Sequence, residues 1–382
     1  MARKNRRDIV NAAEVGVYLV SSRTVRRAFL MGKDPVTGQD RSYRQRVIEK
    51  RLEDLATVFA VEVLDYSTVD NHCYVVVRIR PDLVRAWSDQ EVARRWLRVN
   101  RSMLKLEPEP SQEMIARFVG DEKRLARGRM ALSSLSEFMG CLKQPIAREA
   151  NMRDRASDNF WGGRFESVPL EDETAVAACG SYVNLDPILA RRAEGLGRAE
   201  HTSAFLRLQD ELASGDREER SGWLQPVTVE TSEVCEQGVL TGRRASNDGF
   251  LRMTFQEQRE VIESLLNFEN TVHNSGNAHL HPELPAVMER LGVSAEHWSD
   301  TVHTLRIRFQ RELRIMARMI EEAREAVPQG WPGARDELQG SSTASGERSS
   351  GGILNRGPGA RAGASAEDRV GQPRKPGKPA SS

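Results

Sequence analysis

His72 opens a β-branched run, "HCYVVVRI", and two positions on stands Tyr74. Side chains at i and i+2 of a strand point to one face, so a ligating pair at this spacing can share one divalent cation. Here the first position offers an imidazole and the second a phenol. Alone, the pattern is compatible with half a metal site or with an ordinary hydrogen-bonded residue at a strand end. His279 and His281 in "HLH" match the two-histidine spacing literally, but Pro282 follows, the flanks are polar, and no strand pattern surrounds them. They read as a loop. Cys73, Cys141, Cys179 and Cys235 are scattered with no CxxC pair, which argues against a zinc knuckle or a disulfide framework and for a reduced, cytoplasmic setting.

Charge is balanced overall, with 56 basic and 55 acidic residues, yet it is unevenly placed. Residues 1–55 carry 13 Lys or Arg against 7 acids, including Arg23, Arg26 and Arg27 just past the first apolar run. Such a bias suits phosphate contact or a solvated surface. Arg78 and Arg80 alternate along the histidine strand, and Arg164 follows an aromatic turn where it could meet phosphate or anchor Glu173. No apolar run approaches the ~20 residues that a membrane span needs.

The elements that must hold these residues follow from periodicity. "VGVYLVSSRTV" reads as a strand, and Val47, Ile48, Leu52 and Leu55 recur at helical spacing between Tyr43 and Thr57. "VFAVEVLDYSTV" and "CYVVVRIR", joined by "DNH", read as a hairpin with His72 at the start of its second strand. Ser88 and Glu91 cap a following helix, and residues 101–130 look polar and irregular. A helix is expected from about Ala131 to Ala150, kinked near its end by Pro145. Then come the turn "FWGGRFESVPL", with a short strand, and a helix in "EDETAVAACGSYVNL". Strand, helix, two strands, helices, strand, helix is the order of a ferredoxin-like α+β sheet. Thr254 with Glu257 caps another helix, and Trp298, Val302, Leu305, Phe309, Leu313, Met316 and Ile320 stripe a long one. The expected organisation is a basic arm over 1–12, a core over 13–204, a helical region over 205–335 and a disordered tail over 336–382.

His72 between two strands, the "NFWGGRFES" turn and "SYVNLDPILA" on the last core helix together resemble the single-tyrosine HUH transposases of short insertion sequences and REP-associated elements. That resemblance spans roughly residues 10–200 and implies a ferredoxin-like core acting on single-stranded or hairpin DNA. It implies a divalent ion, Mg²⁺ or Mn²⁺, that polarises the scissile phosphate while a tyrosine attacks phosphorus and forms a covalent phosphotyrosine. Tyr182 stands where the nucleophile would be, and Asp186, four residues on, where a polar residue can complete the metal shell. Work as a homodimer is implied in the same way.

Two departures stand out. The family reads His-x-His, whereas this chain reads His72, Cys73, Tyr74, and a neutral phenol with a pKa of ~10 is a poor ligand for a hard ion. Asp186 takes a place more often held by Asn; its carboxylate partly offsets the missing imidazole, since Mg²⁺ and Mn²⁺ prefer oxygen. Pro187 biases residue 186 away from helical geometry and so against that rescue. The resemblance therefore implies either DNA strand transfer through Tyr182 or a DNA-binding descendant whose chemistry was lost with Tyr74.

Overall fold

The computed structural model describes residues 10–35, 37–213, 220–229 and 243–326. The Val-rich runs form β1 (Gly16–Arg23), β2 (Val61–Thr68) and β3 (His72–Ile79), with α1 (Tyr43–Ala56) crossing from β1 to β2. After β3 come α2 (Pro81–Ala86), α3 (Asp89–Leu97), α4 (Gln112–Val119), α5 (Glu122–Leu132) and α6 (Leu135–Asp154). The aromatic turn leads into β4 (Glu166–Leu170), and the chain continues through α7 (Glu173–Leu189), α8 (Ser203–Leu212), α9 (Phe255–Ser275), α10 (Ala286–Arg290) and α11 (Ala295–Ala326).

The strands pair antiparallel in the order β2-β3-β1-β4, the ferredoxin-like arrangement of an α+β fold. Alternation sends Val75 and Val77 to one face and His72, Tyr74 and Val76 to the other. Val20, Val61, Val63, Val75 and Val77 pack under Leu52 and Leu55 of α1 and Phe138 and Leu142 of α6. Leu19, Leu64, Tyr74 and Val76 pack under α7, and the same apolar cluster runs on through Val261 and Leu265 of α9 to Val302 and Phe309 of α11. Thr254 and Glu257 make the reciprocal capping box that opens α9.

A shift in β2 between Val63 and Asp65 breaks strict alternation. Leu64 joins the cluster under α7, and Asp65, next in the chain, also bonds to α7. A bulge of this kind re-aims a side chain at the cost of one unpaired ladder position.

Three expectations need correction. Residues 112–132 are helical: Ser111 and Asp121 cap α4 and α5, and Ile115, Phe118 and Leu132 are buried beneath an otherwise polar surface. Pro187 lies inside α7, and Asp186 stays in the helix. A proline in the last turn forfeits little backbone bonding, and contacts of the Asp186 carboxylate outweigh the local bias. α6 begins at Leu135 and continues past Pro145 to Asp154. Most of the basic arm, the tail, Cys235, and the side chains of Leu313, Met316 and Ile320 lie outside the described residues. No helix among the described residues is long and apolar enough to cross a membrane.

Candidate active site

β3 and α7 bring the sequence-singled residues onto one face of the sheet. His72 Nε2 lies 3.0 Å from Asp186 Oδ2, and Ser67 Oγ donates to the same oxygen at 3.2 Å. The other ring nitrogen, Nδ1, faces Asn71 Oδ1 at 2.8 Å, and the Asn71 amide is oriented by donating to the Arg27 carbonyl at 3.0 Å. His72 and Asp186 are both buried. The loop pair is elsewhere: His281 Nδ1 contacts Ser299 Oγ at 3.0 Å.

One turn before Asp186 on α7, Tyr182 is fully buried, and its hydroxyl donates to Glu269 Oε1 of α9 at 2.8 Å. Glu269 is held by Arg306 Nε at 2.9 and 3.1 Å and by Gln310 Nε2 at 3.0 Å, both from α11. Burial first, and the neighbouring Glu269 carboxylate second, push the Tyr182 phenol well above the usual phenol range. Phe309, also from α11, stacks on the Tyr182 ring at 5.4 Å with 16° between planes. Its other neighbour is Tyr74, 4.8 Å away, whose ring meets His72 edge-on at 4.9 Å. The order through the interior is therefore His72, Tyr74, Phe309, Tyr182.

The divalent ion that the resemblance implies does not fit this donor set. Both His72 nitrogens already face protein oxygens, Asp186 spends one oxygen on His72 and Ser67, and Tyr74 packs as an aromatic. Among the described residues no group of three or more His, Cys, Asp or Glu side chains is placed to hold a metal ion. Hard cations demand several oxygen ligands, and two groups bonded to each other supply too few.

A second polar knot lies beside the first. Asp65 Oδ1 accepts from Ser203 Oγ at 2.7 Å, Arg207 Nη1 at 2.8 Å and Asn184 Nδ2 at 3.1 Å, while Oδ2 accepts from Gln258 Nε2 at 3.2 Å. A side chain at Gly180 would place its Cβ within 2.4 Å of Asp65 Oδ2. The knot ties β2 to α7, α8 and α9.

The candidate DNA-contacting arginines divide. Arg23 pairs with Glu166 at 3.1 Å. Arg78 bonds Glu62 at 2.5 Å and the carbonyls of Asp248 and Gly249. Arg80 is buried among Glu62, Asp82 and Asp248. Arg26 and Arg164 are exposed and Arg27 is half-buried. Glu173 is anchored by Arg252 at 2.6 Å, not by Arg164.

The residues that sequence reasoning missed are Asp65, Glu269, Arg306 and Phe309. A signal for two of them was present. Glu269 interrupts the α9 stripe of Val261, Leu265, Phe268 and Val272, and Arg306 the α11 stripe of Val302, Leu305 and Phe309. A charge on the apolar side of each of two helices calls for a buried partner.

No protein-family model and no curated protein matches this chain. Among solved structures it is similar to a REP-associated tyrosine transposase bound to a REP hairpin, at 9% sequence identity and a TM-score of 0.32. The match covers 58% of this chain and 93% of that one.

Proposed function

We propose that this chain binds single-stranded or hairpin DNA on a transposase-like scaffold and does not cleave it. The DNA part rests on the resemblance of the His72 strand, the "NFWGGRFES" turn and the Tyr182 helix to the tyrosine transposases. The loss of cleavage rests on one observation: the Phe309 ring sits between Tyr74 and Tyr182, with Glu269 closing over the phenol. Attack on phosphorus requires the nucleophilic oxygen to reach the phosphate with little rearrangement. In place of that path stands a carboxylate, and a phosphodiester brought beside it would set two anions together in a low-dielectric interior. A phenol held neutral by burial is a weak nucleophile besides.

A second reading keeps the chemistry. The contact of His72 with Asp186, and Tyr182 one turn away, support a strand transferase that displaces α11 before acting. The two readings separate in one experiment. Full-length protein is incubated with hairpin DNA carrying a single-stranded flank, with Mn²⁺ or with EDTA. Binding that EDTA leaves unchanged, without covalent adduct, is the expected result. An adduct that needs Mn²⁺ and disappears in Tyr182→Phe would establish the transferase instead.

A further inference from the structure

The DNA-binding reading does not say which surface meets the strand. Both faces of the sheet lie under helices, so nucleic acid approaches at an end. Where β3 finishes, Arg78 and Arg80 are neutralised by Glu62, Asp82 and Asp248.

Where β1 finishes and β3 begins, three turns are stitched together by their backbones. Thr24 N donates to the Asn71 carbonyl at 2.9 Å, Val25 N to Phe160 at 2.8 Å, and Gly162 N to Arg23 at 2.9 Å. The aromatic turn can lie this close because residue 162 is glycine: a Cβ there would stand 2.9 Å from the Thr24 carbonyl oxygen. Arg26 is exposed on the first turn with φ of +50°. Arg164 is exposed on the aromatic turn. Arg191, exposed with φ of +57°, follows α7 beside Arg192, which pairs with Asp70 of the β2–β3 turn and lies 5.7 Å over the Phe29 ring. Among the described residues, none of Arg26, Arg164 and Arg191 makes an ion pair. Left-handed backbone at an L-residue with a long side chain is strained and persists where surrounding contacts impose it.

Resting on the DNA-binding reading, we infer that Arg26, Arg164 and Arg191 form the contact surface for the phosphate backbone, at the end of the sheet rather than over the Tyr182 face. Each guanidinium offers a planar fork of donors that matches phosphate oxygens. The stitched turns fix the backbones that carry Arg26 and Arg164, which lowers the backbone part of the ordering cost of binding. The contacts carry no base information, so they act on any sequence and weaken with salt.

The test is fluorescence anisotropy of a labelled DNA hairpin with a single-stranded flank, in EDTA, across a salt series. Full-length protein is compared with Arg26→Asn/Arg164→Gln/Arg191→Asn, asparagine being chosen because it tolerates left-handed backbone. Each lost contact reduces the magnitude of the negative slope of log affinity against log salt by roughly 0.7–0.9, so a reduction of about two to three is expected. Arg164→Gln alone, at a position without positive φ, guards against misfolding and reduces the magnitude of the slope by about one. Arg117→Gln, on α4, leaves the slope unchanged. Wild-type binding with an unaltered slope in the triple and Arg164→Gln variants overturns this surface and leaves the DNA reading standing. Absence of wild-type binding overturns both.

Discussion

The two faces of the sheet are covered in different ways. Toward α1 and α6 the strands present mainly valines to leucines and phenylalanines, with Phe59 edge-on to Phe138 at 5.6 Å, and the buried Arg51 guanidinium of α1 bonds the Cys141 carbonyl of α6 at 3.1 Å rather than a strand. Toward α7 they present His72, Ser67 and Asp65, each already bonded. Burying charged groups is costly, and among the described residues the strands bring no carboxylate, imidazole or guanidinium to the first face, where the Arg51 guanidinium of α1 is met by backbone carbonyls instead. The α7 face therefore differs in pairing strand carboxylate and imidazole with helix side chains, and α9 and α11 close it with a carboxylate, a guanidinium and an aromatic ring.

The contrast breaks most severely at Asp65. Asp65→Asn takes away the counter-charge of buried Arg207 and mismatches donors to donors. Breaking a buried pair by removing one partner costs about 3–5 kcal/mol, so urea unfolding is expected to shift by that amount or to find no folded state. A smaller loss, about 3 kcal/mol, is expected for either Phe309→Ala or Phe138→Ala, since each empties a buried aromatic site. Matched in stability, the two variants are expected to differ in one respect: only Phe309→Ala makes the Tyr182 phenol accessible, read by nitration with tetranitromethane followed by peptide mapping. Equal nitration of Tyr182 in both would erase the difference between the faces.

Much of this was legible from side-chain periodicity. β1, β2, β3, α1 and the start of α9 fall where alternation, helical spacing and capping residues place them, because there local preference and tertiary packing agree. Helices α4 and α5 did not stand out, since few of their residues are buried and their caps, Ser111 and Asp121, are common loop residues. The direction of Asp65 was hidden by a bulge, which a β-branched run does not announce. The proximity of His72 and Asp186 followed from the resemblance, whereas the seal over Tyr182 depends on pairing residues 182, 269 and 306 across three helices. Long-range pairing of that kind leaves only the charge on each apolar stripe as a trace.

The central claim is that Tyr182 is a sealed core residue. Spectrophotometric titration of the tyrosines in wild type and in Tyr182→Phe tests it directly. A phenol raised in the folded state favours folding fully below its unfolded pKa of ~10, and that contribution is lost as pH climbs beyond it. The two curves should therefore superimpose while the protein is folded and diverge only at alkaline unfolding. A step near or below pH ~10 that is present in folded wild type and missing from the folded variant would contradict the seal.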